Sequence, residues 1–275
     1  MSEARYAIYF APEADSALER IGSEILGRHA GAKAELAQPR LPGITPERFR
    51  ELTAAPRHYG LHATLKPPFF LAGHDDETPL LENVGHIAAR MRTFDLPGLE
   101  LAGLGSFLAL TLTAPCPELE DLARICVTVP DPLRRPPSPE ELARRRAKGL
   151  TPNQERLLGL WGYPYVLEEM RFHLTLTGSI HDPEEREIVR AELAPLLAPV
   201  LRKPVPVRDI CVFRQTCQEE PFGIFRRFPL QLQANNFTNK GTSFSEAERD
   251  QLQLSGLLPP AASWTGSAFP EAYPP

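Results

Sequence analysis

A chain of 275 residues, 42% of them hydrophobic, can bury a substantial core, and its length fits one large domain or two small ones. Its formal net charge of −5 argues against a general binder of DNA or RNA, which needs a basic surface to release phosphate counterions; small anionic substrates stay open. The opening MSEARYAIYF lacks the basic region and apolar run of a secretory signal, and no stretch approaches the roughly 18 uninterrupted apolar residues of a membrane span. Cys116, Cys126, Cys211 and Cys217 form no C-x-x-C pair, so neither a disulfide framework nor a zinc ribbon is indicated, and a cytoplasmic protein with reduced thiols is expected.

Arg5 to Phe10 is aromatic and β-branched, as an opening strand should be. Leu18, Ile21 and Ile25 then recur at helical spacing between Ala14 and Gly27. Residues 28 to 45, rich in Gly, Pro and Ala, read as a long connection. Thr45-Pro46 supplies an N-cap and a first-turn proline for a short helix leading to Arg57-His58-Tyr59-Gly60 and a strand, Leu61 to Phe69. Pro79 to Met91 has amphipathic helical spacing, and Ser106 to Thr113 has the apolar content of a buried strand. Pro117 to Val129 is helical again, with Leu119, Leu122, Ile125 and Cys126 on one stripe.

After a Pro-rich connection, Pro130 to Pro139, two capping signals beginning at Ser138 and Thr151 predict two short helices. A strand follows in Arg171 to Ile180, ended by Gly178, and Asp182-Pro183-Glu184-Glu185 caps a helix running to about Leu197 through Ile188, Leu193 and Leu196. Val205 to Thr216 and Phe222 to Leu232 read as two closing strands. The pattern of strand, helix and strands after His173 loosely repeats that after His62, which implies two related lobes. Residues 1–232 are therefore taken as a two-lobed domain and 233–275 as a poorly ordered tail.

The two motif strands share His-x-Thr-Leu: LHATL around His62 and FHLTL around His173. Alternation along a strand puts His62, Thr64 and Lys66 on one face and Leu61, Ala63 and Leu65 on the other; His173 and Thr175 likewise oppose Phe172, Leu174 and Leu176. Two histidines facing each other suit phosphodiester cleavage. One imidazole takes a proton from the attacking oxygen and the other protonates the leaving oxygen, each step contributing on the order of 10² to 10⁴ in rate. Thr64 and Thr175 could hydrogen-bond non-bridging phosphate oxygens, with Lys66, Tyr59 and Arg171 as further phosphate-binding candidates by sequence proximity.

On these residues the chain resembles the two-histidine phosphoesterase superfamily, which includes cyclic phosphodiesterases and RNA 2′,3′-cyclic phosphate enzymes. RYAIYFAP, YGLHATLKPPF, FLAL, WGYPYV, RFHLTLTG and RFPL more closely resemble a branch encoded beside phosphonate-degradation genes. The resemblance spans roughly Arg5 to Leu230. It implies a pseudo-symmetric α+β fold of antiparallel sheets and flanking helices around a central cleft, catalysis without metal or cofactor, and roles for His62, Thr64, His173 and Thr175. It does not fix the substrate; phosphonate breakdown makes a ribosyl cyclic phosphate a reasonable candidate. A second resemblance covers Asn239 to Pro260, which is similar to the opening segment of malic enzymes. It is read as a remnant without malic activity, and truncation after Leu232 is expected to leave folding and catalysis intact.

Plainer readings compete. Neither motif has a nearby carboxylate or third ligand, so a metal site is not expected. His58 reads as a loop residue, and His29, His74, His86 and His181 as solvated. The run Arg144-Arg145-Arg146-Ala147-Lys148 reads as a solvated face, while Arg134 and Arg135 could close over an anionic substrate. The leading function is thus a hydrolase for a small cyclic phosphate. An enzyme acting on RNA 2′,3′-cyclic phosphate ends, against which the acidic balance weighs, and a non-catalytic phosphometabolite-binding module are the alternatives.

Overall fold

In the computed structural model, which describes residues 3–32, 34–73, 76–147 and 149–232, strands and helices alternate as an α+β fold. The first half contains β1 (Arg5–Phe10), α1 (Ala17–Leu26), β2 (Arg28–His29), β3 (Ala34–Glu35), α2 (Pro46–Leu52), α3 (Ala54–Tyr59), β4 (Ala63–Phe70) and α4 (Thr78–Ala88). Next come β5 (Phe94–Leu96), β6 (Leu99–Leu104), β7 (Phe107–Leu112), α5 (Pro117–Thr128), α6 (Pro139–Arg146) and α7 (Pro152–Trp161). The chain then forms β8 (His173–Thr175), α8 (Pro183–Leu197), β9 (Val205–Val207), β10 (Asp209–Gln215) and β11 (Gly223–Pro229).

Two antiparallel sheets frame the molecule. One has the order β11-β10-β1-β4 and the other β6-β7-β8, so each motif strand is an edge strand and the two edges lie against each other. Each motif strand shares its sheet with the hairpin that follows the other motif. The β6–β7 hairpin, reached from β4 through α4, receives β8; the β10–β11 hairpin, reached from β8 through α8, joins β1 and β4.

The main core lies between these sheets and the helices, where Ile8 and Phe10 of β1 meet Leu65, Val84, Leu122, Leu174 and Val212. Ala7 and Tyr9 face the opposite side with Cys211, Phe213 and Phe222, as period-two alternation requires. Local capping explains the helix starts: Ser138 accepts from the Glu141 amide, Thr151 and Gln154 close a reciprocal box, and Asp182 accepts from the Glu184 amide.

The structure corrects several expectations. The second motif strand covers only His173–Thr175, because the Leu108 carbonyl accepts from both Leu176 and Thr177 and the ladder ends there. α8 buries Val189, Leu193 and Leu197, and leaves Ile188 44% exposed. The expected strand from Val205 breaks at Arg208, since β9 pairs with β5 and β10 with β1. The three-residue β5 carries too few residues for a periodic signal, β6 (LELAGL) breaks its alternation at Ala102-Gly103, and β2 with β3 forms a small hairpin within the expected connection. The tail, where a likeness to malic enzymes was expected, lies outside the described residues, as do His74 and Lys148.

Candidate active site

Antiparallel pairing of β1 with β4 sets Tyr9 opposite Thr64 and Phe10 opposite Ala63. The His62 ring, just ahead of β4, stacks on Tyr9 with centroids 4.0 Å apart at 25°, and Tyr59 lies 5.8 Å away. The His62 Nδ1 donates to the Gly60 carbonyl at 2.9 Å. Gly60, the cap of α3, has φ +76, and a Cβ there would come within 2.5 Å of the Ala30 Cβ, so glycine is required for the turn that aims this carbonyl.

In the other lobe Thr111 pairs with His173 and Ala109 with Thr175. The His173 Nδ1 donates to the Arg171 carbonyl at 2.8 Å, and Phe107 packs 5.9 Å from the ring. Both histidines therefore bond the carbonyl two residues upstream. In a neutral ring this places the lone pair on Nε2, the nitrogen suited to accept a proton. Burial pushes His62 down to about 4, opposed by its bond to Gly60 and aided by the charge of His173; burial also lowers His173, opposed by its bond to Arg171.

Both rings line one cavity of about 1070 Å³ between the sheet edges, together with Thr64, Thr175, Tyr59 and Arg171. Arg171 also donates to the carbonyls of Glu168 and Met170. Lys66 reaches the same wall but does not keep the face of His62 and Thr64. One residue of β1, from Tyr9 to Ile8, spans two of β4, from Thr64 to Lys66, and this bulge turns Lys66 toward the core side of Ile8. Its side chain is 2% exposed, and its ammonium donates to Asp131 at 3.0 Å and to the Val127 carbonyl at 2.8 Å. Asp131 in turn accepts from the Arg134 Nε at 2.8 Å. Burial raises the Asp131 carboxyl, but Arg134 and Lys66 outweigh it and hold the group below its ordinary range.

Further cations complete the wall. Arg144 and Arg145 line the cavity, as do Arg5, Arg134 and Arg135. The guanidinium of Arg145 lies 4.7 Å over the Tyr163 ring, and that of Arg135 lies 4.3 Å over Phe70. His58 sits half-buried, with Nε2 2.9 Å from the Gln215 amide nitrogen; burial lowers it first, then the charges of Arg28 and Arg5. His86 and His181 are exposed as expected, whereas His29 pairs with Glu19 at 3.2 Å. Among the described residues no group of three or more His, Cys, Asp or Glu is placed to hold a metal ion, and no helix is long and apolar enough to cross a membrane.

Fold and site define a two-lobed α+β protein with a histidine pair in a cation-lined cleft. The chain belongs to the family described as "Protein of unknown function (DUF1045)", which it matches over residues 64–223. It is similar to a protein of Janthinobacterium sp. (strain Marseille) named ribose 1,5-bisphosphate phosphokinase PhnN, at 37% identity over 232 residues, 83% of this chain and 51% of that protein. A protein of the same name from Laribacter hongkongensis (strain HLHK9) is 35% identical over 178 residues, 65% of this chain and 41% of that protein. The chain thus spans about half the length of these curated relatives, or less. Among solved structures it is similar to E. coli LigT complexed with 3′-AMP, with 14% identity, coverage of 83% of this chain and 98% of that one, and a TM-score of 0.36. The apo form of E. coli LigT gives 16% identity, 84% and 99% coverage, and a TM-score of 0.36.

Proposed function

We propose that the protein is a phosphodiester hydrolase that opens a small cyclic phosphate by paired histidine acid–base catalysis, with no metal or cofactor. The observation that carries this reading is the duplicated device in the cleft: two His-x-Thr segments from different sheets, each ring held through Nδ1 by the carbonyl two residues back. A hydrogen-bonded structural histidine needs no such partner across a cavity. In the reaction, Nε2 of one ring removes a proton from water as its oxygen attacks phosphorus. The other ring, protonated, gives its Nε2 proton to the departing ester oxygen, leaving a phosphomonoester and an alcohol.

Thr64 and Thr175 donate to the non-bridging oxygens, where charge builds up. Tyr59 and Arg171 flank them. Lys66 and Asp131 act one layer back, by fixing Arg134 at the wall. A phosphate anion in the cleft favours protonation of one ring, countering the burial that lowers both.

The relatives' name refers to a ribose bisphosphate, and this supports a ribosyl phosphate as the substrate class, in keeping with a place in phosphonate metabolism. The test is hydrolysis, with EDTA present, of nucleoside 2′,3′-cyclic, ribosyl 1,2-cyclic and RNA-terminal cyclic phosphates. Turnover of the ribosyl compound that collapses in both His62→Ala and His173→Ala is the expected result. Preference for the RNA end with a steep salt dependence would redirect the assignment to RNA processing. Binding without turnover at any pH would reduce the protein to a sensor.

A further inference from the structure

β1 carries two buried tyrosines that face opposite ways. Tyr6, on the core side, donates its hydroxyl to Glu77 at 2.5 Å, as a buried phenol normally finds a partner. Tyr9, on the side of His62, is 1% exposed and lines the cleft, yet its hydroxyl has no hydrogen-bond partner among the described residues. That oxygen is not sealed in protein either. Among the described residues, the fully buried side-chain polar atoms without a partner are Arg28 Nε and Arg145 Nε, so the Tyr9 hydroxyl opens on the cavity. Tyr163, from the segment between α7 and β8, lines the same cavity, and its hydroxyl likewise has no partner among the described residues.

These rings offer a ligand their hydroxyls more than their faces. Tyr9 is covered by His62 at 4.0 Å and flanked by Phe213 at 4.9 Å, and the Arg145 guanidinium lies over Tyr163 at 4.7 Å. Each ring thus already has a partner on a face, which leaves the hydroxyl as the group with nothing to bond. Burial first, then the neighbouring Tyr59 and Tyr163, push the Tyr9 phenol well above its ordinary value, against the charge of Arg5. Burial likewise raises Tyr163 to about 12, opposed by Arg145. Both stay neutral where the histidines titrate. A neutral phenol donates and accepts at once, which matches an uncharged hydroxyl and leaves the phosphate to the threonines and the cations of the wall. The cavity, at about 1070 Å³, stands at the upper end of the roughly 300 to 1,000 Å³ of ligand sites, so it has room for a sugar beyond the reacting phosphate.

We propose that the Tyr9 and Tyr163 hydroxyls form a sugar-hydroxyl subsite beside His62, which reads hydroxyls of the substrate ring other than those esterified to phosphorus. The substrate class is then a polyhydroxylated sugar carrying the cyclic phosphate, and Tyr9 and Tyr163 are specificity-determining residues. This inference rests on the proposed hydrolase reading for its reaction, and on the two phenols alone for its binding.

The experiment compares ribosyl 1,2-cyclic phosphate with its 3-deoxy and 5-deoxy counterparts as substrates of the full chain. A site built to bond a hydroxyl rejects the analogue that lacks it, so the wild type should favour the parent over at least one deoxy compound in kcat/KM by on the order of tenfold or more. Tyr9→Phe keeps the ring under His62 and removes only the hydroxyl; it should cut that ratio at least threefold, and Tyr163→Phe should do the same for the hydroxyl it reads. Wild-type ratios near one for both deoxy compounds overturn the subsite. So does a ratio that neither substitution lowers, including an equal loss on all three compounds, which would assign the phenols to the reacting centre. If no compound turns over, the hydrolase reading fails and calorimetry with ribose 5-phosphate decides the subsite. Saturable binding weakened at least threefold by Tyr9→Phe or Tyr163→Phe sustains it; absence of binding to the wild type, or affinity unchanged in both variants, overturns it.

Discussion

The His62 and His173 lobes set the same side-chain device on different backbones. In the first, a four-stranded sheet ends at β4, and the ring is gripped by Tyr9 below, Tyr59 beside and a glycine carbonyl at Nδ1. In the second, a three-stranded sheet ends at the three-residue β8, Phe107 packs against the ring, and the carbonyl belongs to Arg171, whose backbone is ordinary. The retained element is the ring orientation, and the surroundings differ. That is the pattern expected where two rings must perform complementary proton transfers.

The strongest way to break the comparison is to remove one ring at a time. His62→Ala and His173→Ala should each lower kcat on the hydrolysed cyclic phosphate by on the order of 10² to 10⁴, with unfolding midpoints close to wild type, since both rings border the cavity. A loss confined to one variant would leave a single catalytic histidine and end the equivalence of the lobes. Next is Gly60→Ala, which meets the Ala30 Cβ and places a side chain at φ +76. It should cost about 1–2 kcal/mol of stability from the backbone alone and lower kcat about tenfold by shifting the carbonyl that holds His62. Arg171→Ala retains its carbonyl, so the Nδ1 bond of His173 persists; equal pH behaviour of His173 in that variant, by NMR titration, would sharpen the contrast.

Thr64→Val and Thr175→Val test the remaining symmetry. Each should lower kcat by roughly three- to tenfold with little change in KM, because a hydroxyl acting on developing charge matters most in the transition state. The smallest effect is a displacement along the pH axis. Both rings are lowered in the free protein, so both limbs of a bell-shaped kcat/KM profile should fall below pH 6.5. Stability follows the same sign. A base with a depressed folded pKa binds fewer protons folded than unfolded, so its contribution is intact above about 6.5 and is lost as pH falls toward about 4 for His62. Thermal midpoints across pH 4 to 7 would check this, and a flat profile would show that His62 is not held neutral.

Much of this was legible because it is local. Ser138, Thr151 and Asp182 cap their helices within three residues, and His-x-Thr alternation holds wherever a strand forms. The histidines, threonines, Tyr59 and Arg171 could therefore be named together, and all line one cavity. Lys66 was misplaced on the face of His62 because a bulge is a property of the pairing between β1 and β4, not of either strand alone. Arg145 looked solvated like the exposed Arg144 because their helix is predominantly charged, and a charged helix bordering a cavity has the same pattern as one facing water.

The sequence by itself determined the order of the longer elements, the caps at Ser138, Thr151 and Asp182 and the shared face of each His-x-Thr pair, since these depend on contacts within about four positions along the chain. Only the tertiary structure decided that each motif strand joins the hairpin following the other motif, and that Arg5, Arg135 and Arg144 meet in one cleft. Edge pairing is chosen by packing across the whole core, and charges spread over 140 positions converge only after that packing has fixed where the two edges meet.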